Sequence, residues 1–370
     1  MNGSEFVRGS SGRDRLRRLS RGLASVENVW FGRSAGNMVV RAALWPLSKA
    51  YNVAVSARSR LYDAGVIPSQ APALPTISVG NLTVGGTGKT PFAAYLAAEL
   101  SRRARPAIAL RGYGSDEIEV HRRLNPDIPV FVNPDRSAAV REAKSYGADI
   151  VVLDDAFQHR RIARNADVVL LSAEQVLRPR RLLPAGPWRE QLSGAKRADL
   201  LVITRKSASI IEAEHAIGIV RAEIPGVPIA SVSLVPRELV AVGHDTPDGL
   251  LTLPLERLRN ANVLAIAAIG EPELFKRQLE LLGARVAIEA HRDHHPFSDA
   301  DIRDATLRVP SDGLAVCTLK DAVKLGGRWP GPSRLWYVSQ QLVVDQGVEE
   351  VNRLLERVID ARASAATTPG

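Results

Sequence analysis

The chain of 370 residues holds a single cysteine, Cys317, two methionines and only 5% aromatic residues. One thiol excludes an internal disulfide framework and any zinc site built on paired cysteines. Such a chain suits a reducing compartment such as the cytosol. It also lacks the run of about 18 uninterrupted apolar residues that a spanning helix needs. The most apolar segment, residues 38–55, is interrupted by Arg41, Pro46 and Lys49. No apolar run follows the basic start, so a cleaved signal peptide is not expected either.

Acidic residues are scarce at the start. Residues 1–60 carry ten arginines and one lysine against Glu5, Asp14 and Glu27, so most of the net charge of +9 lies there. A nucleic-acid-binding domain would carry its basic surface on the folded core. Nucleic acid is therefore not expected as a partner, and no obligate protein partner is evident. A basic N-terminus suits an anionic lipid surface. Residues 1–25 read as a disordered basic extension. Residues 38–62 mix Val39, Val40, Leu44, Trp45, Leu47, Tyr51 and Val55 with Arg41, Lys49, Arg58 and Arg60. That pattern fits either an interfacial helix, with Trp45 and Tyr51 at headgroup level, or a helix packed on the protein's own core.

What is present is a globular composition long enough for two domains, with short apolar runs alternating with helical patterns. Residues 76–79, 106–110, 149–153, 167–171 and 198–204 read as strands of a parallel sheet. A second set, from residue 260, repeats the alternation. The expected fold class is α/β, a P-loop NTPase-like α/β/α domain with a second, smaller Rossmann-like α/β domain joined to it by a β hinge. The expected boundaries are a P-loop domain over 26–235, including a membrane-associating helix near 38–64, a hinge over 236–259, a C-terminal domain over 260–355 and a tail over 356–370.

The strongest chemical signal is Thr83-Val84-Gly85-Gly86-Thr87-Gly88-Lys89-Thr90-Pro91. A strand feeds a glycine-rich loop, then Gly-Lys-Thr, then a helix with Pro91 in its first turn. Glycines let successive backbone N–H groups curl round phosphate oxygens, and the helix N-terminus adds partial positive charge. Lys89 would reach the terminal phosphates and Thr90 would hold Mg²⁺. The strict P-loop pattern fails at one place, because Thr83 stands where its first glycine belongs. Residues 150–155, IVVLDD, supply the acidic partner: an apolar strand ending in Asp154 and Asp155, suited to Mg²⁺ directly or through water.

Other polar residues are less specific. His159 could contact nucleotide or substrate, or be a surface histidine. Asp116 could accept a proton from an attacking hydroxyl, or be a loop carboxylate. The run His291-Arg292-Asp293-His294-His295 lacks the helical spacing of a zinc site, so acid–base or orienting work suits it better. Arg178, Arg180, Arg181 and Arg189 flank an apolar, proline-rich loop that either grips an anionic headgroup or lies on the surface.

Taken in order, TVGGTGKTP (83–91), DDAFQHRR (154–161), RLLPAGPWRE (181–190) and DHHPF (293–297) resemble the tetraacyldisaccharide 4′-kinases, the lipid A 4′-kinases of Gram-negative bacteria. That family also carries Thr or Ser where Thr83 stands. The resemblance implies an enzyme on the cytoplasmic face of the bacterial inner membrane, phosphorylating the 4′-hydroxyl of an acylated glucosamine disaccharide with ATP and Mg²⁺. It implies nucleotide binding by Thr83, Val84, Gly85, Gly86, Thr87, Gly88, Lys89 and Thr90, together with Arg136 and His159. It implies Mg²⁺ at Thr90, Asp154 and Asp155, and catalysis by Lys89, Asp116 and His294. There are departures: Ala156 replaces a usual glycine, Ser115 replaces another, the stretch before Asp116 is short, and Leu319 stands where Glu is common. The competing function is a membrane-associated P-loop ATPase or GTPase switch without a lipid acceptor.

Overall fold

A computed structural model describes residues 29–112, 115–246, 249–293, 295–330 and 333–366. The basic extension expected over residues 1–25, and His294, lie outside the described residues. The first long element, α1 (Ala35–Asp63), starts at Ser34, whose side chain accepts from the Asn37 N–H. Its buried residues are Ser48 and Tyr62. Met38, Val39, Trp45, Leu47 and Val53 are each more than half exposed, so these apolar residues of the helix are not packed into the core. No helix among the described residues is long and apolar enough to cross a membrane.

The P-loop half follows as β1 (Thr76–Asn81), α2 (Lys89–Ser101), β2 (Pro106–Leu110), α3 (Ser115–Leu124), β3 (Val130–Val132), α4 (Arg136–Tyr146), β4 (Ile150–Asp154), β5 (Ala166–Ser172), α5 (Ala173–Val176), β6 (Leu200–Arg205) and α6 (Ile210–Glu223). Every residue of β1 is buried. A strand buried on both faces belongs in the middle of a covered parallel sheet, and β1 pairs in parallel with β4 on one edge and β5 on the other. Gly80 is required there, because a Cβ on it would overlap Phe157. Gly80→Ala is expected to destabilise the fold by about 3 kcal/mol, the upper end for overpacking, since β1 is clamped on both edges. Thermal unfolding beside Gly218→Ala, where a Cβ meets nothing within 4 Å, checks it.

The rest of the chain is β7 (Ile229–Thr246), β8 (Gly249–Pro254), β9 (Asn262–Ala267), α7 (Pro272–Leu281), β10 (Arg285–Ala290), α8 (Asp299–Arg308), β11 (Leu314–Cys317), α9 (Leu319–Leu325), β12 (Leu335–Gln346) and α10 (Val348–Ala366). The twelve strands among the described residues join one sheet, ordered β10-β9-β11-β12-β7-β6-β5-β1-β4-β2-β3, with β8 on β7. The two parallel parts meet at the antiparallel pair β7 and β12. Ala230 and Val232, at one end of that pair, lie in the core around Ile77 and Phe92. Val240 and Tyr337, at the other end, lie in the core around Phe297 and Ala315.

The stretch 236–259, expected as a β hinge, is the latter part of β7, then β8 and a 3-10 turn. One boundary differs from expectation. The tail expected from 356 is instead the second half of α10, whose Val351, Leu354, Leu355, Val358 and Ile359 are buried in the core with Ile77. The cause is β12: its antiparallel run carries the chain back to the P-loop half, and the spacing of those apolar residues gives α10 a face to bury there.

Candidate active site

The phosphate loop leaves β1 at its buried end and enters α2 through Gly88, the N-cap, at φ 83°. Gly85 also needs a left-handed backbone, at φ 103°. Three contacts hold the loop: Asn81 Nδ2 donates to Thr87 Oγ1 at 2.9 Å, Val84 N to Pro187 O at 2.8 Å, and Thr83 Oγ1 to Gln175 Oε1 at 2.5 Å. Thr83 is 2% exposed. Its hydroxyl therefore anchors the loop to α5, which accounts for a side chain where the strict pattern has glycine. Lys206 Nζ sits above the loop, 3.7 Å from where a Gly86 Cβ would stand, and pairs with Glu271 of the C-terminal half at 2.8 Å.

The structure brings the acidic pair to this loop. Asp154 ends β4 and is 3% exposed. Its Oδ2 accepts from Thr90 Oγ1 at 3.1 Å and His121 Nε2 at 2.9 Å, and its Oδ1 accepts from the Asp155 N–H at 2.8 Å. Burial pushes this carboxyl up, but the His121 hydrogen bond, with Lys89 and Thr90, outweighs it and holds the carboxyl below the usual range. Asp155 has φ 48°. Its Oδ1 lies 3.5 Å from Lys89 Nζ and 3.6 Å from Arg189. That oxygen is buried and has no hydrogen-bond donor among the described residues. Thr90, Asp154 and Asp155 thus offer the oxygen ligands a hard cation takes, with one acceptor still unfilled, so these residues fit Mg²⁺. Ala156, in place of a usual glycine, is fully buried and donates to Val79 O at 3.1 Å, so the turn closes without one.

The other expected residues fall at different depths. Arg136 is 2% exposed and donates to the Asp154 carbonyl at 3.0 Å, so it braces the end of β4. Burial lowers its guanidinium from the ordinary value. His159 is half-buried just past Gln158, which donates to Asn81 O at 2.6 Å. Burial, then Arg136 and Arg111, push His159 down, so it is neutral at physiological pH. Asp116, in the first turn of α3, is 6% exposed, and its Oδ2 lies 3.8 Å from both Lys320 Nζ and Lys324 Nζ of α9. Lys320 also reaches Asp293 at 2.9 Å, which ties the segment beside His294 to Asp116. Burial, with Asp154 near, raises Glu117 above the usual carboxylate range.

Of the basic loop, Arg189 reaches Asp155, whereas Arg180 pairs with Glu223 at 2.7 Å and Arg181 donates to Trp30 O at 3.4 Å. His291 and His295 stack at 4.5 Å and bond to Glu289 and Asp301 at 3.1 and 3.0 Å. They shape the turn between β10 and α8. Sequence reasoning missed His121, Lys320 and Lys324. Their only local signal is spacing: Glu117 and His121, like Lys320 and Lys324, stand four apart on one helix face.

The comparisons with known proteins agree on one family. The family model described as tetraacyldisaccharide-1-P 4′-kinase matches residues 40–127 and 116–360. A tetraacyldisaccharide 4′-kinase of Anaeromyxobacter sp. (strain Fw109-5) is 34% identical over 367 residues, covering 91% of this chain and 97% of that protein. One from Porphyromonas gingivalis (strain ATCC BAA-308 / W83) is 32% identical, covering 84% and 96%. The crystal structure of LpxK from Aquifex aeolicus in complex with ATP superposes with a TM-score of 0.67 at 26% identity, covering 86% of this chain and 99% of that one. With a phosphate loop, a strand-end acidic pair and relatives matched along most of its length, the chain belongs to the tetraacyldisaccharide 4′-kinase family.

Proposed function

We propose that the chain transfers the γ-phosphoryl group of ATP to the 4′-hydroxyl of an acylated glucosamine disaccharide 1-phosphate. The observation that carries this reading is one cluster: Thr90 on Asp154 at 3.1 Å, Lys89 beside Asp155 at 3.5 Å, and Asp116 under two lysines of the opposite half at 3.8 Å. Loop backbone over residues 83–88 and Lys89 hold the phosphates and neutralise their charge. Thr90, Asp154 and Asp155 hold Mg²⁺, which when bound supplies charge neutralisation at the phosphate oxygens. The sugar oxygen forms its bond to the γ-phosphorus as the bond to the β-phosphate oxygen breaks and ADP leaves. Asp116 takes the hydroxyl proton, with His294 as its partner. Arg136 positions Asp154 through its carbonyl, and His159, uncharged, lies beside the nucleotide. Transfer of labelled γ-phosphate from ATP to a detergent-solubilised acylated disaccharide 1-phosphate tests this. Labelled lipid is the expected result; nucleotide hydrolysis without labelled lipid would favour the switch ATPase instead.

The same reading places the protein on the cytoplasmic face of the inner membrane, held by α1. Exposed Val39, Trp45, Leu47 and Val53 alternate there with Arg41, Lys49 and Arg58. Apolar side chains entering the interface and cations facing anionic headgroups suit that location. Val39→Asp with Trp45→Asp is expected to weaken flotation with phosphatidylglycerol vesicles about tenfold or more, each side chain contributing about 1.5–3 kcal/mol when buried. Unchanged flotation would take α1 out of membrane contact.

A further inference from the structure

His121 is fully buried on α3, one helical turn and a residue beyond Asp116. Its Nε2 stands 2.9 Å from Asp154 Oδ2. A carboxylate oxygen offers only lone pairs, so Nε2 is the donor whatever the charge on the ring. The other ring nitrogen, Nδ1, is buried and has no hydrogen-bond partner among the described residues. A buried polar atom left without a partner is costly. Leucine or phenylalanine would fill the same space without that cost, so packing alone does not account for a histidine here. What the imidazole does provide is the donor that, with Thr90 Oγ1 on the same oxygen and the Asp155 N–H on the other, leaves the Asp154 carboxylate a single orientation.

We propose that His121 is a positioning residue for the metal-binding carboxylate Asp154, an inference that rests on the reading of Asp154 as a Mg²⁺ ligand. Outer partners of this kind fix the direction of a ligand's lone pairs, and their loss typically weakens metal binding about 10–100-fold. The brace has a second consequence. Because α3 carries both Asp116 and His121, the hydrogen bond ties the helix bearing the proton acceptor to the strand end bearing the metal carboxylate. A displacement of one is transmitted to the other through a single contact.

The test is Mn²⁺ binding, read by electron paramagnetic resonance, to the full-length protein with a non-hydrolysable ATP analogue. Three variants separate the roles. Gln reaches with its amide to about where Nε2 stands; Asn places its amide nearer Nδ1; Leu keeps the bulk and offers no donor. His121→Leu and His121→Asn are expected to weaken Mn²⁺ binding at least about tenfold, with metal-free nucleotide binding unchanged, and His121→Gln to restore it to within about threefold. Should the leucine variant fail to fold, the Gln and Asn variants carry the same comparison. Asp154→Asn is run alongside. If Asp154→Asn loses Mn²⁺ while the His121 variants all bind it normally, His121 is a packing residue and the assignment is wrong. If Asp154→Asn itself binds Mn²⁺ normally, the metal role of Asp154 falls and the assignment with it.

Discussion

Lys89→Ala lowers transfer of the γ-phosphoryl group about 10²–10³-fold, the usual cost of removing one preorganised charge from developing phosphate charge. The side chain is 15% exposed at the first residue of α2, and its ammonium lies 3.5 Å from Asp155. The loop does not depend on it for shape: Asn81 with Thr87, Thr83 with Gln175 and Val84 with Pro187 hold the backbone. Asp155 keeps Arg189 at 3.6 Å when Lys89 is gone. The melting temperature therefore stays near that of the unsubstituted protein while kcat and kcat/KM fall together, the pattern of an interaction made chiefly in the transition state. Steady-state transfer kinetics with labelled ATP read it. A variant within a few-fold of normal turnover would mean that Lys89 does not meet the phosphates.

Asp116→Asn is expected to cost about 10²–10⁴ in kcat, the range for losing a general base. The amide has the same shape, so a site only 6% exposed keeps its packing. What it loses is the proposed acceptor for the hydroxyl proton and the charge that faces two lysines of α9. Each lysine retains another carboxylate, Lys320 with Asp293 at 2.9 Å and Lys324 with Asp321 at 3.4 Å. ATP affinity should change little, because the three contacts that hold the phosphate loop do not involve Asp116. Turnover close to normal in the folded variant would remove Asp116 from the chemistry, and Glu117, whose carboxyl burial holds above the usual range, would be examined next.

The phosphate loop was legible from sequence because its parts are contiguous: strand, glycines, Gly-Lys-Thr and helix all fall between residues 76 and 101. The acidic pair was legible for the same reason, since an apolar strand ending in two carboxylates is a local pattern. Contacts across the fold were not. Asp116 meets Lys320 and Lys324 more than 200 positions away, and no local spacing announces that pairing. His121 reads as one polar residue in a charged helix until the fold sets it against Asp154. Arg136 was expected at the nucleotide, and its bond to the strand-end carbonyl of Asp154 was not legible in the sequence. The Pro- and Gly-containing stretch expected as a β hinge is in part the end of a strand of 18 residues, which tolerates Pro236 because that residue sits where the ladder with β12 shifts register.

The return of the chain through β12 into α10 has a consequence for synthesis. Val351, Leu354, Leu355, Val358 and Ile359 complete the apolar packing around β1 and α2, the elements that hold the phosphate loop. A ribosome makes those residues only after the whole second parallel part has emerged. Domains usually fold from the N-terminus as they appear; here the nucleotide-binding half stays unfinished until α10 has been made. Nucleotide binding by a nascent chain thus awaits α10, and a protein truncated before Val351 reaches the cell with an open core beneath its phosphate loop.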